Sequence, residues 1–187
     1  DIMAMFFRTQ GLVILTAFLW LALSGCATTP LYGKDDFRVA GETLNKGDKA
    51  FTIEAIQVPG LGESGATLDK MIPSMARIAE AGGNTVCFDL AGFNADGTAL
   101  DPAGVETVTT YAVRAKDQRM GVLLRVLGDA TDPKFRRNAV KTAAAALKPE
   151  GRVVYWIDGP DAPELALIFK KRAPGRVVAA PANGDLD

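Results

Sequence analysis

No histidine occurs anywhere in the 187 residues. That removes the side chain that titrates nearest neutrality and the commonest metal ligand. Any general acid or base must then be a carboxylate, lysine, tyrosine or cysteine. Only two cysteines are present, Cys26 and Cys87, too few for a disulfide framework. Neither charge sign dominates: 21 basic and 22 acidic residues leave a formal net charge of −1, so no global field favours nucleic acid. No expected strand runs into a GxGxxG or P-loop pattern, which leaves nucleotide chemistry unsupported, and no cofactor is expected. Asp96, Asp101 and Asp129 are scattered without ligand spacing, and no metal site is expected.

What is present begins with an address. Arg8 precedes an apolar run of about 13 residues, Gly11–Leu23, too short for a bilayer core that needs roughly 20. Charged flank, short apolar segment and small residues describe a secretory signal. Its ending, Leu23-Ser24-Gly25-Cys26, resembles the bacterial lipobox. The resemblance implies cleavage before Cys26, diacylglycerol on its thiol and acylation of its new amino group, and two or more acyl chains anchor stably. An uncleaved helical anchor, the alternative, leaves the small residues without a purpose. Ala27, rather than Asp, after the cysteine implies the outer membrane by the same resemblance. The expected organisation is a signal peptide over 1–25, a lipidated tether and lead-in over 26–49, and one α/β domain over 50–187. Within the lead-in, Phe37–Ala40 is the expected edge strand.

From Ala50 onward β-rich apolar runs alternate with helical segments. Strands are expected at Phe51–Val58, Thr85–Leu90, Gly121–Leu127, Val153–Ile157 and Val177–Ala180. Helices are expected at Thr67–Ala81, Pro102–Arg119, Pro133–Leu147 and Pro163–Lys171. Asp101-Pro102 and Asp132-Pro133 are N-cap and first-turn pairs, and Ala162-Pro163 fits the same place. Met71, Met75, Ile78 and Ala79 share one helical face, as do Val105, Val108, Ala112 and Ala115. Pro73 sits awkwardly inside the first helix. The repeat means βαβ units and a parallel sheet of about five strands, either a partial TIM-like barrel or an open doubly wound three-layer sheet. In both, ligands meet the loops at the carboxyl ends of the strands.

A sheet covered on both faces should be apolar throughout. Glu54, Asp89 and Arg125 break that rule at what look like matching depths, and burying them unpaired costs several kcal/mol each. One reading is a structural carboxylate–arginine–carboxylate network, whose loss in Arg125→Met would cost roughly 3 kcal/mol or more. The other is a pocket formed by Asp89, Arg125, Tyr155, Trp156 and Asp158, with the indole as a stacking platform for a sugar. Asn94 in the loop after the second strand extends that pocket, although Asn94, Asp96 and Gly97 also suit a tight turn. Cys87 is expected to be a core side chain, with no histidine to activate it.

FTIEAIQVPG, AEAGGNTVCFDL, AKDQRMGVLLRVLGD and VVYWIDGPD together resemble the amino-terminal half of a clan-A glycoside hydrolase barrel. The resemblance implies a glycosidase-like scaffold with its acid/base at the end of the fourth strand. There the family has Asn-Glu and this chain has Asp158-Gly159, so Asp158, or Asp161 beyond it, would stand in as the acid. Cys87 occupies the place of the family's substrate-site arginine. The nucleophile belongs on a seventh strand, and only five are read here; retaining hydrolysis needs two carboxyls about 5–5.5 Å apart and inversion about 6.5–9.5 Å. The expected protein is a lipid-anchored cell-envelope molecule, non-catalytic, with a glycan-binding or structural role. The alternative is a glycoside hydrolase completed by a second copy or lying within a longer glycosidase. Expected partners are the membrane through Cys26, a carbohydrate and a second copy of the chain.

Overall fold

The structure is a computed structural model that describes residues 33–58 and 68–181. The expected signal, the Cys26 lipidation site and Thr67, where the first helix is expected to begin, fall outside the described residues. Three short strands come first: β1 (Phe37–Ala40), β2 (Thr43–Lys46) and β3 (Lys49–Ala50) form an antiparallel meander. The repeating units follow as β4 (Ala55–Gln57), α1 (Leu68–Glu80), β5 (Thr85–Asp89), α2 (Pro102–Asp117), β6 (Gly121–Arg125), α3 (Pro133–Ala146), β7 (Val153–Trp156), α4 (Ala162–Arg172) and β8 (Val177–Ala179). The expected edge strand Phe37–Ala40 is β1, and the lead-in adds two further strands, β2 and β3.

Local chemistry sets the helix ends. Asp101 accepts a bond from the Ala103 amide at 2.9 Å, and Asp132 accepts one from the Phe135 amide at 2.8 Å. Each cap satisfies a first-turn donor that the helix itself leaves free. The fourth helix differs from expectation: its N-cap is Asp161 rather than Ala162, and the Asp161 side chain makes no cap bond. Pro73 stands inside α1. Gly82, at φ 85°, takes the left-handed turn that closes that helix.

The five-stranded sheet is parallel throughout, in the order β4-β5-β6-β7-β8. Each βα unit lays its strand beside the last, on the same side. A doubly wound sheet needs a reversal in that order, and none occurs among the described residues. The fold is thus a partial, TIM-barrel-like α/β wall, with β4 and β8 at its two edges.

Register then assigns two faces. Val86, Phe88, Val122, Leu124, Val153 and Tyr155 point to the helices, where they form the main core with Met71, Met75, Val108, Tyr111, Val140 and Phe169. Phe88 meets Tyr111 edge to face at 5.2 Å. The expected helical stripes pack as read, except that Ala79 is exposed. The opposite, concave face carries Cys87, Leu123, Val154 and Val177 in its lower layer. There the meander covers it: Phe37, Val154 and Val177 are buried together, flanked by Leu44, Phe51 and Ile53. The Phe37 amide donates to Gly151 O at 2.8 Å, which pins the meander to the amino end of β7. A Cβ on Gly121 would come within 3.1 Å of the Phe51 ring. The upper layer of the same face, Asp89, Arg125, Trp156 and Ala179, stays open.

Candidate functional site

Asp89 ends β5 and Arg125 ends β6, and the two are paired directly in register. Arg125 Nη1 donates to Asp89 Oδ1 at 3.0 Å. Its Nη2 donates to Asp129 Oδ1 at 3.1 Å, Asp158 Oδ2 at 3.2 Å and Gly128 O at 3.3 Å. One guanidinium thus gathers three carboxylates from three successive strand ends, which leaves the cluster with an excess of negative charge. Burial works against the Arg125 charge, but the bonds to Asp129 and Asp158 and the field of Asp89 outweigh it and raise its pKa.

Cys87 lies one layer below. Burial, with Asp89 and Asp158 and against the pull of Arg125, pushes its thiol up to about 11. Its thiol form is favoured near neutrality. Trp156 is the cross-strand neighbour of Arg125, half-buried on the concave face. An indole beside hydrogen-bonding carboxylates is a surface on which a planar or pyranose-like ligand can lie.

A second arginine works behind this layer. Arg136, on the buried face of α3, donates through Nε to Asp161 Oδ1 at 2.9 Å and Oδ2 at 3.2 Å, and through Nη2 to Asp161 Oδ1 at 2.5 Å. It also bonds Ala130 O at 2.8 Å and Asp158 O. Arg136 therefore staples the loop after β6 to the loop after β7. Between those loops lies an open cavity of about 740 Å³, with Arg125, Asp129, Asp158 and Pro160 in its wall. Gly159 (φ 89°) is fitted around the staple, since a Cβ there would approach Arg136 Nη2 to 2.7 Å. This commitment also explains why the Asp161 carboxylate does not cap α4.

The expected site residues divide accordingly. Asp89, Arg125, Trp156 and Asp158 come together. Asp161 is near but held on Arg136. Glu54 is not part of the group: it is exposed, one residue before β4, with its amide on Asn84 Oδ1 at 3.0 Å at the amino end of the sheet. Tyr155 points the other way, buried among the helices, where its hydroxyl donates to Leu147 O and Glu150 O. Burial and the charge of Glu150 push its ionisation far up. Asn94 builds its own loop, giving Nδ2 to Thr98 Oγ1 and taking the Ala99 amide on Oδ1. That loop leans on α3 through Thr142 Oγ1 to Gly97 O and Asn138 Nδ2 to Asp96 O. Asp129 and Arg136 were not anticipated. Arg136 had a signal, because it falls three residues before Ala139 in an otherwise apolar helical stripe.

The scaffold matches part of a glycoside hydrolase family 5 barrel. The family 5 mannosidase from Rhizomucor miehei superposes with a TM-score of 0.56 at 14% identity, covering 82% of this chain and 57% of that one. A β-mannanase from the blue mussel Mytilus edulis gives 0.54 at 14% identity, covering 78% and 63%. A family 5 hydrolase from Bacteroides vulgatus gives 0.55 at 12% identity, covering 79% and 39%. The chain thus spans about six-tenths of the length of the first two enzymes. No family model matches the sequence, and no curated protein matches it either.

Proposed function

We propose that this chain is a lipid-anchored cell-envelope protein whose glycosidase-like domain binds a glycan without hydrolysing it. The sugar lies against Trp156, with its hydroxyls on Asp89, Asp158 and Arg125. The observation that carries the reading is the placement of a half-open indole in the same layer as that charged cluster, at the end of the sheet where such folds take ligands. A β-linked mannose oligomer is the first ligand to try, because mannan-acting enzymes share the scaffold. Cys26 supplies the anchor through its lipobox-like setting, and the protein resides at the outer membrane.

The lack of turnover rests on how the acids are used. Both Asp161 oxygens are engaged by Arg136, Asp158 shares Arg125 with two other carboxylates, and Gly159 offers no side chain. The test is reducing-end release from β-mannan by the full chain. We expect no release above that of Asp158→Asn; release that Asp158→Asn abolishes would contradict it. The coverage of about six-tenths of the enzymes favours a second reading, in which this domain belongs to a longer hydrolase or is completed by a second copy. A second carboxylate whose removal also abolishes turnover would establish that reading instead.

A further inference from the structure

At the opposite, amino end of the sheet lies a second cavity of about 740 Å³, between the meander and the end of α2. Lys34, Lys46, Lys49, Lys116 and Arg119 line it. Its two carboxylates are already engaged: Asp35 pairs with Lys116 at 2.9 Å, and Asp48 pairs with Arg38 at 2.5 Å. Among the described residues no carboxylate pairs with Lys34, Lys46, Lys49 or Arg119. Lys46 is half-buried, with its ammonium on Met120 O and within 6 Å of the Phe37 and Phe51 ring centroids. Arg119 closes α2 at φ 59°, the one non-glycine residue with positive φ among those described. Glycine is the usual occupant of such a helix end, so the arginine is kept at a conformational cost. Basic residues at helix ends answer the helix dipole, which accounts for Lys116. It does not account for Lys34, in the turn before β1, or Lys49, in β3.

Covalent reach makes this cluster meaningful. Only six residues separate Cys26 from Gly33, where the described domain begins. Fully extended they span at most about 25 Å. A domain held by lipid on Cys26 therefore keeps Lys34 and its neighbours close to the bilayer surface. We infer that the basic cavity is a membrane-facing surface that engages the phosphates of anionic lipid headgroups. It would turn the Asp89–Arg125–Trp156 face away from the membrane. The overall charge balance hides this polarity, because the loops at the other end carry Asp96, Asp129, Asp132 and Asp158. The inference rests on the proposed lipid anchor at Cys26.

The test partitions the full chain between vesicles of phosphatidylcholine alone and vesicles that also contain phosphatidylglycerol. The anchor contributes equally to both, so the difference reads the basic surface. We expect a preference for the anionic vesicles that high salt removes and that falls on the order of 100-fold in Lys34→Gln/Lys49→Gln/Arg119→Gln. Arg119→Gly should raise Tm, by relieving the backbone, and still weaken the preference severalfold. Equal partitioning of the unaltered chain would overturn the inference. So would displacement by inorganic phosphate at matched ionic strength, which would mark a site for a free anion. Intact mass of the recovered chain reports the anchor independently: a missing acyl addition defeats the anchor while the vesicle comparison still reads the surface.

Discussion

Arg125 and Arg136 both hold aspartates, yet solvent separates their energetics. The Arg125 side chain is 19% exposed, and its partners Asp89, Asp158 and Asp129 are 41%, 28% and 95% exposed. Water can resolvate those carboxylates if the arginine is lost. Arg125→Met should therefore cost about 1–2 kcal/mol, less than the 3 expected for a buried network. Arg136 is 7% exposed and satisfies two backbone carbonyls besides Asp161. Arg136→Met should cost about 3 kcal/mol or more. Urea midpoints of the two variants check the ordering, and equal losses would contradict it. Asp96 gives a pH signature. Its bonds to the Thr98 hydroxyl and amide, the hydroxyl bond foremost, hold its pKa below the ordinary 3.8. A depressed carboxylate stabilises the loop above the unfolded pKa and loses that effect as pH falls through the folded one. The Thr98 amide resonance should accordingly titrate with a midpoint below 3.8.

Elements explain both what the sequence disclosed and what it hid. The helix caps were legible because Asp-Pro carries its own geometry, and β5 through β8 were legible because apolar runs of four or five residues alternate cleanly. The first strand misled. Phe51 and Ile53 look like strand residues, but they pack under the concave face, and β4 begins only at Ala55. Counting depth from Phe51 lifted Glu54 toward Asp89, whereas register places it level with Asn84. Asn84 does the local work there: its Nδ2 donates to Thr52 O and its Oδ1 accepts from the Glu54 amide. Tyr155 differs from expectation for a related reason: it lies beside Trp156 in sequence but takes the opposite face of the strand. The meander was invisible as a unit, because short antiparallel strands in a polar segment lack a sustained period. Its packing predicts its importance. Phe37→Ala, at a site 1% exposed and edge to face with Phe51 at 5.3 Å, should cost about 3–5 kcal/mol in urea unfolding.

At the scale of the molecule, one sheet separates two chemistries. Its amino end is closed by the meander and edged with lysines; its carboxyl end is open, acidic and carries Trp156. The alternation of strands and helices predicted a parallel sheet, but only the spatial order β4-β5-β6-β7-β8 chooses the barrel wall over the doubly wound alternative. Order depends on crossover geometry that composition does not encode. The open upper layer is the proposed seat of a sugar. Isothermal titration of the full chain and Trp156→Ala with mannotetraose tests it most directly. Saturable binding by the unaltered chain is expected, weakened at least about tenfold in Trp156→Ala, the loss of roughly 1.4 kcal/mol of contact with the ring. Equal affinity in the two proteins, or none in the unaltered chain, would contradict it.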